Sequence, residues 1–365
     1  MLIPDRPLEL AVVGFGKLGL LHAAIVNALS GSRLVAVTDT SSQVLGVLQT
    51  QMAGLRVYSD HRAMLRDGGI DAVVVATPTH LHVPVATDCV AAGLHVFIEK
   101  PLATSLQQAR PLLEALSRHR VANMVGYMGR HVDTFHKAKE IVASGALGDL
   151  QMTRSSMYTG QLFRTGEGWR YDRNASGGGV LITQNSHVID QLLWMFGEIE
   201  EVNGQIASLY SASVEDYCHA VLRFRSGLCG YMDASWSARH YRTPTISIHV
   251  QGANGTLDVD DDCVRLHLLA ARAGWAAEWT TWRKPDLYQG VEIDIGGPQY
   301  TLQLREFINA IRTGASVASD VASAARTQAV IDAVYESAGM RGKPVRPVDP
   351  ALAAERALPA GGLSP

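Results

Sequence analysis

The stretch ELAVVGFGKLG, residues 9–19, decides the fold. Its first five residues read as a short apolar strand. Gly14-Phe15-Gly16-Lys17-Leu18-Gly19 follows, and LLHAAIVNAL continues as a helix. A second strand, LVAVTD, closes on Asp39, 20 residues beyond Gly19. GxGxxG alone is a weak signal in a chain with 34 glycines. Between a strand and a helix, with an acid ending the next strand, it meets the context of a dinucleotide-binding turn.

The glycines have separable tasks. Gly14 permits the tight turn, Gly16 lets the backbone approach a pyrophosphate, and Gly19 lets the helix pack close to the strand. N–H groups around Phe15, Lys17 and Leu18 then face the phosphates, helped by the helix dipole. Asp39 accepts hydrogen bonds from the adenosine ribose and repels a 2′-phosphate. That favours NAD over NADP, although Ser41 and Ser42 leave a phosphate contact open.

Outward from this turn, DAVVVATP (71–78), HVFIEKP (95–101) and ANMVGY (122–127) are further apolar strands alternating with amphipathic helices. Continuous apolar strands mean a parallel sheet covered on both faces, a doubly wound α/β domain over residues 1–128. The strands beyond it alternate with period two: LQMTRSSMY, EVNGQIAS, CHAVLRF, GLCGYMDASW, TISIHVQG and GTLDVD. SerGly at 226–227 and AsnGly at 254–255 join two pairs of them. The reading is a second, α+β domain over 129–343 on a mostly antiparallel sheet, with helices at 183–196 and 301–338. A Pro-, Ala- and Gly-rich tail over 344–365 is expected to be loose.

Composition fits this reading. With 365 residues the chain is too long for one compact domain, and 47% hydrophobic residues supply sizeable cores. Lys and Arg (32) nearly balance Asp and Glu (35), so no basic field marks a nucleic-acid or membrane-surface protein. The longest apolar runs are strand-sized. MLIPDRPLEL lacks the basic head and apolar run of a secretory leader, and the expected location is the cytoplasm. Cys89, Cys218, Cys229 and Cys263 form no CxxC and are expected as buried or partly buried thiols. No histidine or cysteine spacing suggests a metal.

Lys100 follows strand HVFIE at its C-terminal end, where an open α/β sheet places its ligands. Together with ATPTHLH (76–82) and GGGVLxxxxxHxxD, the Glu99-Lys100-Pro101 segment resembles the Gfo/Idh/MocA family, which includes glucose–fructose oxidoreductase and inositol dehydrogenase. The likeness spans about residues 8 to 340. It implies an N-terminal Rossmann domain, and a C-terminal domain whose large open sheet forms a homodimer or homotetramer interface. It also implies hydride transfer between NAD(P) and a carbinol or ketone of a sugar, cyclitol or nucleotide sugar. By the same resemblance Lys100 contacts substrate oxygen and nicotinamide, with Glu99 beside it. Thr77, Pro78 and His82 line the nicotinamide side, while Tyr127, Arg130, Trp169 and Arg170 fall in substrate-facing segments. His187 is the catalytic histidine.

The family's frequent Asp, four residues before that histidine, is Thr183 here. If 183 onward is helical, Thr183, His187 and Asp190 share one face. Histidine suits the acid/base role because its pKa is near neutral. The expectation is His187 as acid/base and Lys100 polarising the reacting oxygen, with Thr183 and Asn185 orienting substrate. Asp190 is expected to orient a neighbour. Thr183 also keeps open a nicotinamide-binding sensor or assembly protein without turnover; a separate alternative is a dehydrogenase of a non-sugar cyclic diol. Trp275, Trp279, Trp282 and Tyr288 lie in a stretch read as irregular, either an interface or a loop packed on itself, or else stacking on a sugar. An anionic partner for nearby arginine-rich loops would favour a phosphorylated or nucleotide-linked substrate.

Overall fold

The structure, a computed structural model, describes residues 6–164 and 166–351. Contacts divide the chain into two units, Met1–Met128 with Gly290–Ala325, and Gly129–Gln289 with Arg326–Pro365.

The first unit is a six-stranded sheet of β1 (Leu8–Val13), β2 (Ser32–Thr38), β3 (Arg56–Tyr58), β4 (Ala72–Val75), β5 (His95–Ile98) and β6 (Asn123–Val125). The order is β3-β2-β1-β4-β5-β6, and every pairing is parallel. AVVV of β4 is buried throughout, as a central strand covered on both faces must be. The order reverses between β1 and β4, and the carboxyl ends of these two strands carry the glycine turn and the segment after β4.

One expected boundary changes. Residues 290–325 were placed in the second domain, whereas the structure groups Gly290–Ala325 with the first. The reason is apolar burial: Leu304, Phe307, Ile308 and Ile311 of helix Pro298–Thr313 share a core with Leu8, Leu10, Val12 and Ile25. Each such side chain contributes roughly 1.5–3 kcal/mol by leaving water.

The second unit is an eight-stranded sheet of β7 (Leu150–Tyr158), β8 (Ile199–Ala207), β9 (Tyr217–Phe224), β10 (Cys229–Ser235), β11 (Thr245–Gly252), β12 (Gly255–Asp260), β13 (Cys263–Leu268) and β14 (Glu278–Arg283). Its order is β14-β13-β12-β11-β7-β10-β9-β8, antiparallel except where β7 and β10 run parallel. Inward positions alternate with outward ones, so β9 reads iBiBeBeB. The inward side chains share a core with Val188, Ile189 and Leu192 of helix Ser186–Phe196, and with Val330, Ile331 and Val334 of helix Val321–Gly339. The other face carries Val221, Tyr231 and Met152 exposed.

Three further expectations are corrected. Residues 278–283, read as irregular, form β14, with Trp279 outward and Trp282 packed on the core. Trp275 and Trp282 meet edge to face at 5.4 Å with the Lys137 ammonium over both rings, so this pair packs on its own unit. Cys229 is exposed. In the expected tail, Val345 bridges Val202 of β8, while residues 352–365 lie outside the described residues.

Candidate functional site

In the first unit, helix Lys17–Ala28 begins directly after the glycine turn, and its N-cap Gly16 offers no side-chain cap. The N–H groups of its first turn therefore point toward whatever lies before the helix. Gly14 has φ +89°, and a Cβ there would lie 2.8 Å from the Ala76 carbonyl carbon. A Cβ on Gly19 would collide with the Gly14 carbonyl, whereas one on Gly16 would meet nothing within 4 Å. Gly14 and Gly19 thus serve the close approach of strand, turn and helix. Gly16 keeps the space before the helix open.

Asp39 follows β2, and its Oδ2 accepts from Phe15 N at 2.6 Å while Oδ1 accepts from Ser41 N at 2.8 Å. Each carboxylate oxygen has a second lone-pair direction for a hydroxyl. After β4, the Thr77 hydroxyl is buried without a hydrogen-bond partner among the described residues. Pro78 precedes the short turn Thr79–Leu81. An open cradle at Gly16, an uncapped helix start, a carboxylate at Asp39 and an orphaned hydroxyl at Thr77 fit a dinucleotide.

Two residues expected at the cofactor are engaged elsewhere. His82 is buried, and its Nδ1 lies 2.8 Å from Pro101 O and its Nε2 2.9 Å from Thr77 O. Burial lowers its pKa against the pull of those carbonyls. It braces the loop after β4 against the loop after β5 and has no ring nitrogen left for a ligand. Glu99 is also buried: Oε1 lies 2.6 Å from His22 Nε2, and Oε2 accepts from Lys100 N at 3.2 Å. Burial opposes ionisation, yet the His22 hydrogen bond and the charges around it hold this carboxyl below the usual range. Lys100 itself is half-buried and precedes a cis bond to Pro101. His22 was not anticipated; its only sequence signal is a lone polar ring inside LLHAAIVNAL. Tyr127, at the end of this unit, is buried.

In the second unit the expected helix from 183 is two pieces, Val180–Thr183 and Ser186–Phe196. Asn185 N reaches back five residues to Val180 O at 2.8 Å, a π-like turn that breaks the regular face. The Thr183 hydroxyl donates to Gly179 O at 2.7 Å. Asn185, expected to orient substrate, is fully buried, with Nδ2 3.5 Å from Met232 Sδ on the sheet. The π-like turn rotates it off the Thr183 face and into the core. His187 opens the second helix, is nearly buried, and donates its N–H to Gln184 O at 3.1 Å.

Arg130, expected at substrate, is 7% exposed and forks onto Asp190, with Nε to Oδ2 at 2.8 Å and Nη2 to Oδ1 at 2.6 Å. A buried guanidinium demands such a partner, and Asp190 lies one turn beyond His187 on the same helix. Asp190 therefore orients a neighbour, as expected, and that neighbour is Arg130. Trp169 and Arg170 form a 3-10 turn in which the guanidinium lies 5.0 Å from the indole centroid, Arg170 being exposed.

The glycine run before His187 follows from close packing within this unit. A Cβ on Gly178 would collide with the Tyr335 hydroxyl, and one on Gly179 with the Glu215 carbonyl. The Glu215 carboxylate is buried, and its Oε1 accepts from Gly179 N at 2.9 Å, Leu181 N at 3.1 Å and Tyr335 Oη at 2.8 Å. It caps the Val180–Thr183 helix from 36 residues away in sequence. Burial raises its pKa against those donors. No local pattern announces such a cap. Among the described residues, no group of three or more His, Cys, Asp or Glu side chains could hold a metal ion. No described helix is long and apolar enough to cross a membrane.

Comparison with known proteins agrees with both units. Residues 8–127 match the oxidoreductase family model with an NAD-binding Rossmann fold, and residues 135–258 match the GFO/IDH/MocA C-terminal domain. Myo-inositol 2-dehydrogenase of Thermotoga maritima is 26% identical over 260 residues, 70% of this chain and 75% of the relative. Levoglucosan dehydrogenase of Pseudarthrobacter phenanthrenivorans is 26% identical over 316 residues, 77% and 81% of the two chains. A solved levoglucosan dehydrogenase in complex with NADH superposes with a TM-score of 0.84 at 22% identity, covering 94% of this chain and all of that one.

Proposed function

This chain belongs to the GFO/IDH/MocA oxidoreductase family, and on that premise we propose that it transfers hydride to or from a carbinol carbon of a sugar, cyclitol or sugar derivative. It is an NAD-binding oxidoreductase. The observation that carries the reading is the open Gly16 cradle before an uncapped helix, with Asp39 and Lys100 following the carboxyl ends of β2 and β5. The relatives acting on inositol and levoglucosan support a polyhydroxylated ring as substrate.

Gly14, Phe15, Gly16, Lys17, Leu18 and Gly19 hold the pyrophosphate, Asp39 the adenosine ribose, and Thr77 and Pro78 the nicotinamide side. The bound nicotinamide supplies the hydride acceptor or donor. His187 takes the hydroxyl proton as carbon is oxidised and returns it in the reverse direction. Lys100 hydrogen-bonds the reacting oxygen and stabilises charge developing there. Thr183 supplies no carboxylate, so the proton falls to His187. Tyr127, Trp169 and Arg170 remain candidates for lining the substrate, and copies associate through the open sheet face.

His187→Ala is the test. It lowers turnover by about a hundredfold or more while NAD affinity, read by titration, stays within about twofold. Unchanged turnover removes His187 from the mechanism.

A further inference from the structure

We propose that the substrate carries an anionic group, a carboxylate or a phosphate, held by Arg239 beside an aromatic platform of Phe163 and Tyr210. This rests on the dehydrogenase reading above and narrows its substrate class. Arg239 places its guanidinium 4.9 Å from the Phe163 ring centroid, and Phe163 meets Tyr210 edge to face at 5.9 Å. Both rings are 38% exposed. Aromatic rings partly open to solvent beside a cation form a surface suited to a ring bearing a negative charge.

The loops that carry this cluster are stitched to the His187 segment. Leu162 N donates to Trp236 O at 3.0 Å and Ser237 Oγ to Leu162 O at 2.7 Å, joining the loop after β7 to the loop after β10. Gln161 accepts from Gln184 Nε2 at 3.2 Å, and Gln184 O receives the His187 N–H. The same Gln161 donates to the Tyr171 hydroxyl at 3.2 Å, which brings the turn of Trp169 and Arg170 alongside.

Charge decides the class of ligand. Arg164, Arg170, Arg239 and Arg242 are exposed in these loops, and none of them forms an ion pair among the described residues. Of the acids nearby, Glu167 is exposed like the arginines, whereas Asp172 accepts from Asn174 N at 2.9 Å, and Asp216 accepts from Leu209 N at 2.7 Å and Tyr210 N at 2.6 Å. In a chain of net charge −3, this local excess of arginine does not follow from composition. A guanidinium fork matches carboxylate and phosphate alike, so geometry names the charge and not its source.

Calorimetric titration of the NADH-loaded protein with myo-inositol, glucuronate, glucose 6-phosphate and UDP-glucose tests the proposal and separates the sources. At least one anionic probe should bind about tenfold or more tightly than myo-inositol, and its affinity should fall with added salt. In Arg239→Gln that advantage should shrink about tenfold, and Phe163→Ala should reduce it as well. Unaltered thermal transitions confirm that both variants fold. Equal affinity for neutral and anionic probes, or an anionic preference that survives Arg239→Gln, overturns the proposal. Binding is read without turnover. An anionic probe that binds as expected while no probe exchanges hydride therefore defeats the dehydrogenase reading and leaves the anion site standing.

Discussion

At Asp39 a single carboxylate does two things. It closes the glycine turn by accepting from Phe15 N, and in the proposed ribose site it would place negative charge against a 2′-phosphate. Asp39→Ala should therefore narrow the preference for NAD over NADP by about tenfold or more, the scale of a charge-assisted hydrogen bond. Dissociation constants for the two cofactors check this, and an unaltered ratio rejects the ribose assignment. His82 and Glu99 teach the converse. Each lies next to residues proposed to face the cofactor, yet His82 contacts two carbonyls and Glu99 contacts His22.

At the scale of the element, the segment from Gly177 to Phe196 is two short helices set by a carboxylate from elsewhere in the chain. Glu215 Oε2 has no partner among the described residues, and burial raises the pKa of the group. The fold thus favours the protonated acid. Its contribution is full below the ordinary carboxyl range and is lost as pH rises through the raised value. Glu215→Gln imitates the protonated form. Its melting temperature relative to wild type should therefore climb as pH increases from about 4 toward neutrality, by about 2–4 °C for each kcal/mol involved. Parallel melting curves across that range contradict the assignment. The glycine triplet was visible in the sequence, but its reason was not, because Glu215 and Tyr335 lie 36 and 157 positions from Gly179 and Gly178.

At the scale of the molecule, the described helices cover one face of the eight-stranded sheet. Val221 is 50% exposed on the other, between outward-facing Tyr231 and Asn203. The outward positions around it mix Val221 and Tyr231 with His219, Arg223 and Asn203, and we propose that this face meets a second copy of the chain. Val221→Glu should shift the mass measured by light scattering toward a single chain, since it desolvates a charge at the contact. A wild-type protein that is already monomeric removes the proposed association.

Local pattern was enough for the parallel sheet, the fingerprint turn and most antiparallel strands. Burial on both faces demands unbroken apolar runs, half-burial demands alternation, and a left-handed turn demands glycine. The same logic singles out Lys100 and His187 as candidates, since each follows a recognisable segment of adjacent residues. Residues 290–325 could not be assigned this way, because an amphipathic helix advertises that it packs without saying against which sheet. Nor could Arg130 be separated from a substrate contact, or Asn185 from a cleft residue. Their partners, Asp190 and Met232, are met only when the chain folds back, and burial then decides whether a polar side chain faces a ligand or another residue.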